Sequence, residues 1–203
     1  MIVFDKLFKP LDYIRIRHAE KCWFDAVLPA ILATVCAIIL YALPKPVAFI
    51  GKDSVISLVN GILQILSGFY IASMAAVATF QKDGMDDQME GVPPKLKIIK
   101  RKKPVLKSLT RREFLTYLFG YLAFMSILMY FVGGFIQLAN GNISMLMAGI
   151  PLAFKYVLVG LYMFVVFNIL CTTILGMHFM IDKIHRPKSK IIDNKRESSE
   201  ASK

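Results

Sequence analysis

Charge is missing from long stretches of this chain. Nineteen consecutive positions between Asp25 and Lys45 carry none, nor do 28 between Asp53 and Lys82, 41 between Glu113 and Lys155, and 26 between Lys155 and Asp182. Only 19% of the 203 residues are charged and 56% are apolar, whereas soluble domains run at about a quarter charged and about half or less apolar. A soluble globular domain and a disordered chain are both excluded. Cysteine is scarce and odd in number (Cys22, Cys36, Cys171), which excludes a disulfide-stapled scaffold and predicts buried small apolar side chains. Histidine occurs three times, at positions 18, 178 and 185, never at metal-ligand spacing. The chain also lacks a Ser/His/Asp set, paired carboxylates, an HExxH sequence and a glycine-rich phosphate loop. Asp83-Gly84-Met85-Asp86-Asp87 has neither the ligand positions nor the sixth-position glycine of a calcium loop. No catalytic residue, cofactor site or metal site is therefore expected, and an enzyme is not the reading.

What remains are apolar runs long enough to cross a membrane, about 18 residues or more each. The chain reads as an all-α integral membrane protein with four transmembrane helices, at about 26–43, 54–81, 114–138 and 151–181. The 41-residue run would reach about 60 Å as one helix, and Asn140-Gly141-Asn142 divides it with a turn signal. Residues 145–150 are expected as a surface-lying turn or an extension of the fourth helix. Pro29 suits the first turn of the first span, and Pro44 and Pro46 end it.

Residues 1–24 place Val3, Phe4, Leu7, Phe8, Leu11 and Ile14 at helical spacing, with Lys6, Lys9, Arg15 and Arg17 largely between them. An N-terminal amphipathic interfacial helix, kinked at Pro10, is expected there. A cleavable signal peptide does not fit, because Asp5, Asp12 and Glu20 precede the first apolar run. Of the 25 Lys and Arg residues, 22 fall in the N-terminal segment, the loop 82–113 and the tail 182–203. By the excess of positive charge on the inner side, both termini and that loop face the cytoplasm. The loop is acidic first, then basic through Lys95, Lys97, Lys100, Arg101, Lys102, Lys103, Lys107, Arg111 and Arg112. These nine residues are the candidate contacts for membrane lipid or a protein partner. Direct nucleic-acid binding is not expected, since aromatic residues do not interleave with the cluster.

Within the membrane the second span is the most patterned. Ser57, Gly61, Gly68, Ala72, Ala75, Ala76 and Thr79 share one stripe of small residues, and Asn60, Gln64 and Ser67 form a polar stripe beside it. Small residues let helices approach closely in lipid. The fourth span repeats the theme with Gly160, Asn168, Thr172 and Gly176. Two readings stand. Asn60, Gln64 and Asn168 bond to one another or to carbonyls inside one bundle, or Asn60, Gly61, Gln64, Ser67, Gly68, Ala72, Asn168 and Thr172 are packing or pore-facing positions between subunits of a cyclic homo-oligomer, taken as a tetramer.

In size, span count, cytoplasmic termini and the basic loop from Lys95 to Arg112, the chain resembles the small four-span membrane subunits of bacterial antiphage defence systems, most of all that of the Kiwa system. No short diagnostic motif carries the likeness, so no functional residue is transferred. The resemblance implies an inner-membrane sensor of phage attack that forms a homo-oligomer and recruits a DNA-binding cytosolic effector. The alternatives are a pore-forming effector, lined by the Asn60–Gln64–Ser67 and Asn168–Thr172 stripes, and an assembly subunit of a larger membrane complex.

Overall fold

The computed structural model describes residues 7–16, 21–45, 47–79, 85–87, 94–100 and 103–183. The expectations placed on residues 1–6, Arg101, Lys102 and the tail beyond 183 lie outside the described residues. A 3-10 helix, Lys9–Arg15, comes first, then one π-helical turn, Trp23–Val27, that runs into α1, Leu28–Ala42. Helix α2 spans Val55–Thr79, strands β1 and β2 span Lys95–Lys100 and Lys103–Ser108, and α3 spans Arg111–Leu138. Helix α4 is Asn140–Ala148 and α5 is Leu152–His178, which continues through a second π turn, Phe179–Lys183.

Four of these segments, Trp23–Ala42, Val55–Thr79, Arg111–Leu138 and Leu152–Ile181, are long and apolar enough to cross a membrane. The all-α, four-span architecture stands. Contacts between helix ends show that the spans alternate in direction. The start of α3 meets the end of α2, where the Arg112 guanidinium donates to the Val77 carbonyl oxygen at 3.0 Å. The start of α3 also meets the end of α5, where Phe114 packs on Phe179. At the other end Tyr41 of α1 packs on Tyr156 of α5. There the Gln137 carboxamide joins α3 to the turn before α2, donating to Ser54 Oγ at 2.9 Å and accepting from the Gly51 amide at 3.1 Å. Gly51 sits at φ +124, a left-handed conformation that a side chain would strain. The core lies mainly between α2, α3 and α5, with Leu63, Tyr70, Leu118, Phe119, Leu122 and Ile169 almost wholly buried.

Three expectations are corrected. Among the described residues the N-terminal segment forms no amphipathic α-helix lying apart from the bundle. Pro10 stands in the first turn of a short 3-10 helix, and Tyr13 and Ile16 are buried in the bundle core. Phe8 reaches Phe124, ten residues beyond Phe114 and so about 15 Å further along α3. The loop 82–113, expected only as an acidic then basic connection, contains an antiparallel hairpin of β1 and β2 whose register runs from Lys95 opposite Ser108 to Lys100 opposite Lys103. The alternation of Lys95, Leu96, Lys97 and Ile98 is a period-two signal that the density of lysines hides. Asn140-Gly141-Asn142 is not itself a turn but opens the separate helix α4, with the break one residue earlier at Ala139. Met145 and Leu146 on that helix are largely exposed.

Helix α3 begins three residues before the apolar run. The Glu113 amide donates to Thr110 Oγ1 at 3.2 Å and the Thr110 amide to Glu113 Oε2 at 3.3 Å. This capping box satisfies two backbone donors that a helix start leaves without partners. Thr110→Ala is therefore expected to lower stability by about 1 kcal/mol, read as a lower unfolding midpoint of the purified protein in detergent. An unchanged midpoint would show that the cap contributes nothing.

Candidate functional site

Pro29 has no N–H, so the carbonyl of Asp25, four residues earlier, loses its ordinary helical donor. The backbone there winds as a π turn, and Asn168 of α5 supplies the missing bond, its Nδ2 donating to the Asp25 carbonyl oxygen at 2.6 Å. The Tyr121 hydroxyl of α3 donates in turn to Asn168 Oδ1 at 2.7 Å. The Asp25 side chain is as fully engaged as its backbone. Asp25 Oδ1 accepts from the hydroxyls of Tyr13 and Thr172, each at 3.2 Å, and Oδ2 faces the Lys21 ammonium at 3.1 Å. Lys21 also donates to the Ile14 carbonyl oxygen at 3.3 Å and lies 4.4 Å from the centroid of the Tyr13 ring. That ring stacks on Tyr121 with centroids 4.9 Å apart.

The Lys21–Asp25 pair is largely buried, with side-chain exposures of 10% and 17%. Tyr121 lies seven residues beyond Phe114, about 10 Å into the apolar part of α3. An ionisable pair set inside a bundle of membrane-length helices is expensive unless paired and hydrogen-bonded, and by default marks a functional position. Burial and the Asp25 charge together push the Tyr13 phenol far above its ordinary value of 10.0, so its hydroxyl remains a donor. On one side the cluster walls a cleft of 690 Å³, otherwise lined by apolar residues of the N-terminal segment, α3 and α5. Among the described residues no group of three or more His, Cys, Asp or Glu is placed to hold a metal ion.

The residues expected to matter within the membrane do not converge. Asn168 and Thr172 are buried in the Asp25 cluster, where their side chains are engaged with Asp25. Asn60 bonds to neither Gln64 nor Asn168. Its carboxamide stands against Gly133 of α3, where a Cβ would come within 2.9 Å of Asn60 Cγ, and its Oδ1 is buried without a hydrogen-bond partner among the described residues. Gln64 is exposed on the outer face of α2 together with Gly61, Gly68 and Ala72, and half-buried Ser67 donates back to the Gln64 carbonyl oxygen at 2.9 Å. The small-residue stripe therefore plays no part in packing α2 on α3. That contact is made by larger side chains such as Val59, Leu63 and Tyr70. Among the described residues the close approaches that do need glycine are Gly133 against Asn60 and Gly176 against Leu118. Of the cysteines only Cys171 is fully buried, and Cys22 is exposed, contrary to expectation.

The basic residues divide into two groups. Lys95, Lys97, Lys100, Lys103 and Lys107 lie on the hairpin, and Lys95 and Lys107 are exposed. Arg111 and Arg112 instead belong to the first turn of α3. Arg112 serves structure: it pairs with Asp86 at 2.8 Å and caps α2 by donating to the carbonyl oxygens of Val77 and Ala78 at 3.0 and 3.2 Å. The bond to Asp86 holds that carboxyl below its ordinary range, so the tether is in place at neutral pH and is lost only on acidification past that lowered value. The Arg111 amide donates to the Asp87 carbonyl oxygen at 3.2 Å. Leu96 and Leu109 are buried in the same core as Phe114 and Leu118, which pins the hairpin base to the bundle. Lys107 also pairs with Glu113 of α3.

Tyr13, Lys21, Asp25 and Tyr121 were not legible as a site, because Asp25 falls at the first edge of an apolar run and reads as its boundary. The signal is its position four residues before a proline and four after a lysine. Asp25→Asn leaves Lys21 buried without its counter-charge and is expected to cost about 3 kcal/mol or more. Replacing both, Lys21→Met with Asp25→Asn, should recover most of that loss in detergent unfolding. Equal losses in the single and double variants would show that the two groups are not coupled.

Neither a family model, nor a curated protein, nor a solved structure matches the chain.

Proposed function

We propose that this chain is a non-enzymatic sensor and anchor of the bacterial inner membrane, of the kind used in antiphage defence, which assembles as a homo-oligomer and recruits a cytosolic effector through its hairpin. The observation that carries the reading is the hairpin itself. Its two strands carry Lys95, Lys97, Lys100, Lys103 and Lys107 with Arg101-Lys102 between them in the sequence, a concentration of positive charge that is unfavourable through self-repulsion. An acidic surface on a partner relieves that repulsion. Electrostatic complementarity of this kind contributes chiefly to specificity and association rate.

The anchoring of the hairpin supports a coupling role. Leu96 and Leu109 sit in the core, and Arg112 bonds at once to Asp86 and to the end of α2. A change in how α2 packs on α3 must therefore displace the hairpin base. A membrane stimulus and a bound effector then bias one packing equilibrium from two sides, which is the thermodynamic content of sensing. The pore reading loses support because Asn168 and Thr172, two of its lining residues, are engaged with Asp25.

The test uses proteoliposomes holding the full chain and a soluble protein that co-purifies with it from bacterial cells. Binding that weakens at least tenfold when Lys100, Arg101, Lys102 and Lys103 are all replaced by Ala, together with planar bilayers that pass no current, is the expected result. Unchanged binding by that variant, or a current altered by Gln64→Leu, would overturn the proposal.

A further inference from the structure

The cleft beside the Asp25 cluster has unspent hydrogen-bonding capacity on its polar wall. Lys21 and Asn168 both line it, and each is more than nine-tenths buried. An ammonium carries three N–H donors and a carboxamide two. Lys21 uses one on Asp25 and one on the Ile14 carbonyl oxygen, and Asn168 uses one on the Asp25 carbonyl oxygen. The second N–H of Asn168 is left without a partner among the described residues, and the third of Lys21 has no oxygen or nitrogen acceptor there, only the face of the Tyr13 ring. The acceptors of Asp25 are by contrast engaged by Tyr13, Thr172 and Lys21. Buried donors without acceptors are costly, so the wall favours a ligand group that brings oxygen acceptors.

The rest of the cleft is apolar, with Ile14, Ile16, Met125, Phe164 and Val165 lining it. At 690 Å³ its size is that of a small-molecule site. Exposed apolar side chains adjoin the lining residues along the chain: Ile14, itself in the lining, is 58% exposed, Trp23, next to Cys22, 64%, and Leu161, about one turn before Phe164 and Val165, 61%. On helices of membrane length, such a surface faces hydrocarbon. What reaches the cleft from the side is therefore a lipid, and a soluble polar molecule would have to leave water to enter. We propose that the cleft holds one acyl chain of a bilayer phospholipid, with oxygen atoms of its head-group region accepting hydrogen bonds from Lys21 and Asn168. The site is independent of effector recruitment and stands or falls separately. Its occupant bridges the N-terminal segment, α3 and α5, so lipid occupancy clamps the Asp25 cluster.

Full-length protein in phospholipid nanodiscs, doped with a phospholipid carrying a photoreactive diazirine in one acyl chain, tests this directly. Irradiation should concentrate lipid adducts on Met125, Phe164 and Val165 at least fivefold over outward-facing Ile65 and Leu138. Ala26→Trp, which places a large side chain at the cleft lining, should remove that excess while leaving adducts at Ile65 and Leu138 unchanged. Labelling spread evenly over all five positions, an excess that survives in folded Ala26→Trp, displacement by free fatty acid but not by unlabelled phospholipid, or protein–protein adducts at the cleft would each overturn the proposal. The adduct distribution in the unsubstituted protein decides the matter even where Ala26→Trp does not fold.

Discussion

A single residue, Asp25, is bound through both its backbone and its side chain, and the rest of the bundle is arranged around that fact. Its carbonyl is orphaned by Pro29 and repaired by Asn168. Its carboxylate is held by Lys21, Tyr13 and Thr172. These partners come from the N-terminal segment, from the residues just before the first span and from α5, and Tyr121 adds α3 through Asn168. Hydrophobic burial cannot specify helix partners in lipid, because lipid tails are as apolar as leucine. Directional bonds to a buried charge can, since any other arrangement leaves the charge or its partners unsatisfied.

That constraint also accounts for the N-terminal segment being drawn onto the bundle. Tyr13 must reach Asp25, and the backbone at Ile14 must face Lys21, so the 3-10 helix lies along α3 and not apart from it. Once there, it gains the Tyr13 stack on Tyr121 and the contact of Phe8 with Phe124. The apolar residues whose spacing suggests an interfacial helix divide between these contacts and the surrounding hydrocarbon: Leu7, Phe8 and Ile14 stay largely exposed.

The spans were legible because a charge gap of membrane length leaves a chain almost nowhere to go but across lipid. Where charges are dense or polar residues isolated, one sequence pattern serves several geometries. The hairpin alternates correctly, yet its lysines equally suit an extended tether. Thr110 and Glu113 have capping spacing, but the charged residues between them are equally at home in a loop. The small stripe of α2 predicts close approach without saying to what, and the chain turns it outward. Asn60 and Asn168 look alike in sequence. Only the chain's path decides that one rests against Gly133 with an oxygen that has no partner among the described residues while the other completes a helix.

The two ends of the bundle consequently differ in kind. At the end away from the hairpin, neutral groups make the joins: Gln137 to Ser54 and Gly51, and Tyr41 against Tyr156. At the hairpin end the joins are ionic or charge-assisted, through Lys21 to Asp25, Arg112 to Asp86 and Lys107 to Glu113. Exposed ion pairs contribute little and are screened by salt, so the hairpin is held mainly by Leu96 and Leu109 and only adjusted by its charges. The buried Lys21–Asp25 pair is shielded from that screening. An arrangement with one neutral end and one charged end, whose outer pairs respond to ions and acidic partners while the inner pair does not, makes the hairpin the place where a shift in how α2 packs on α3 is read out, with the Asp25 cluster holding the N-terminal segment, α3 and α5 together behind it.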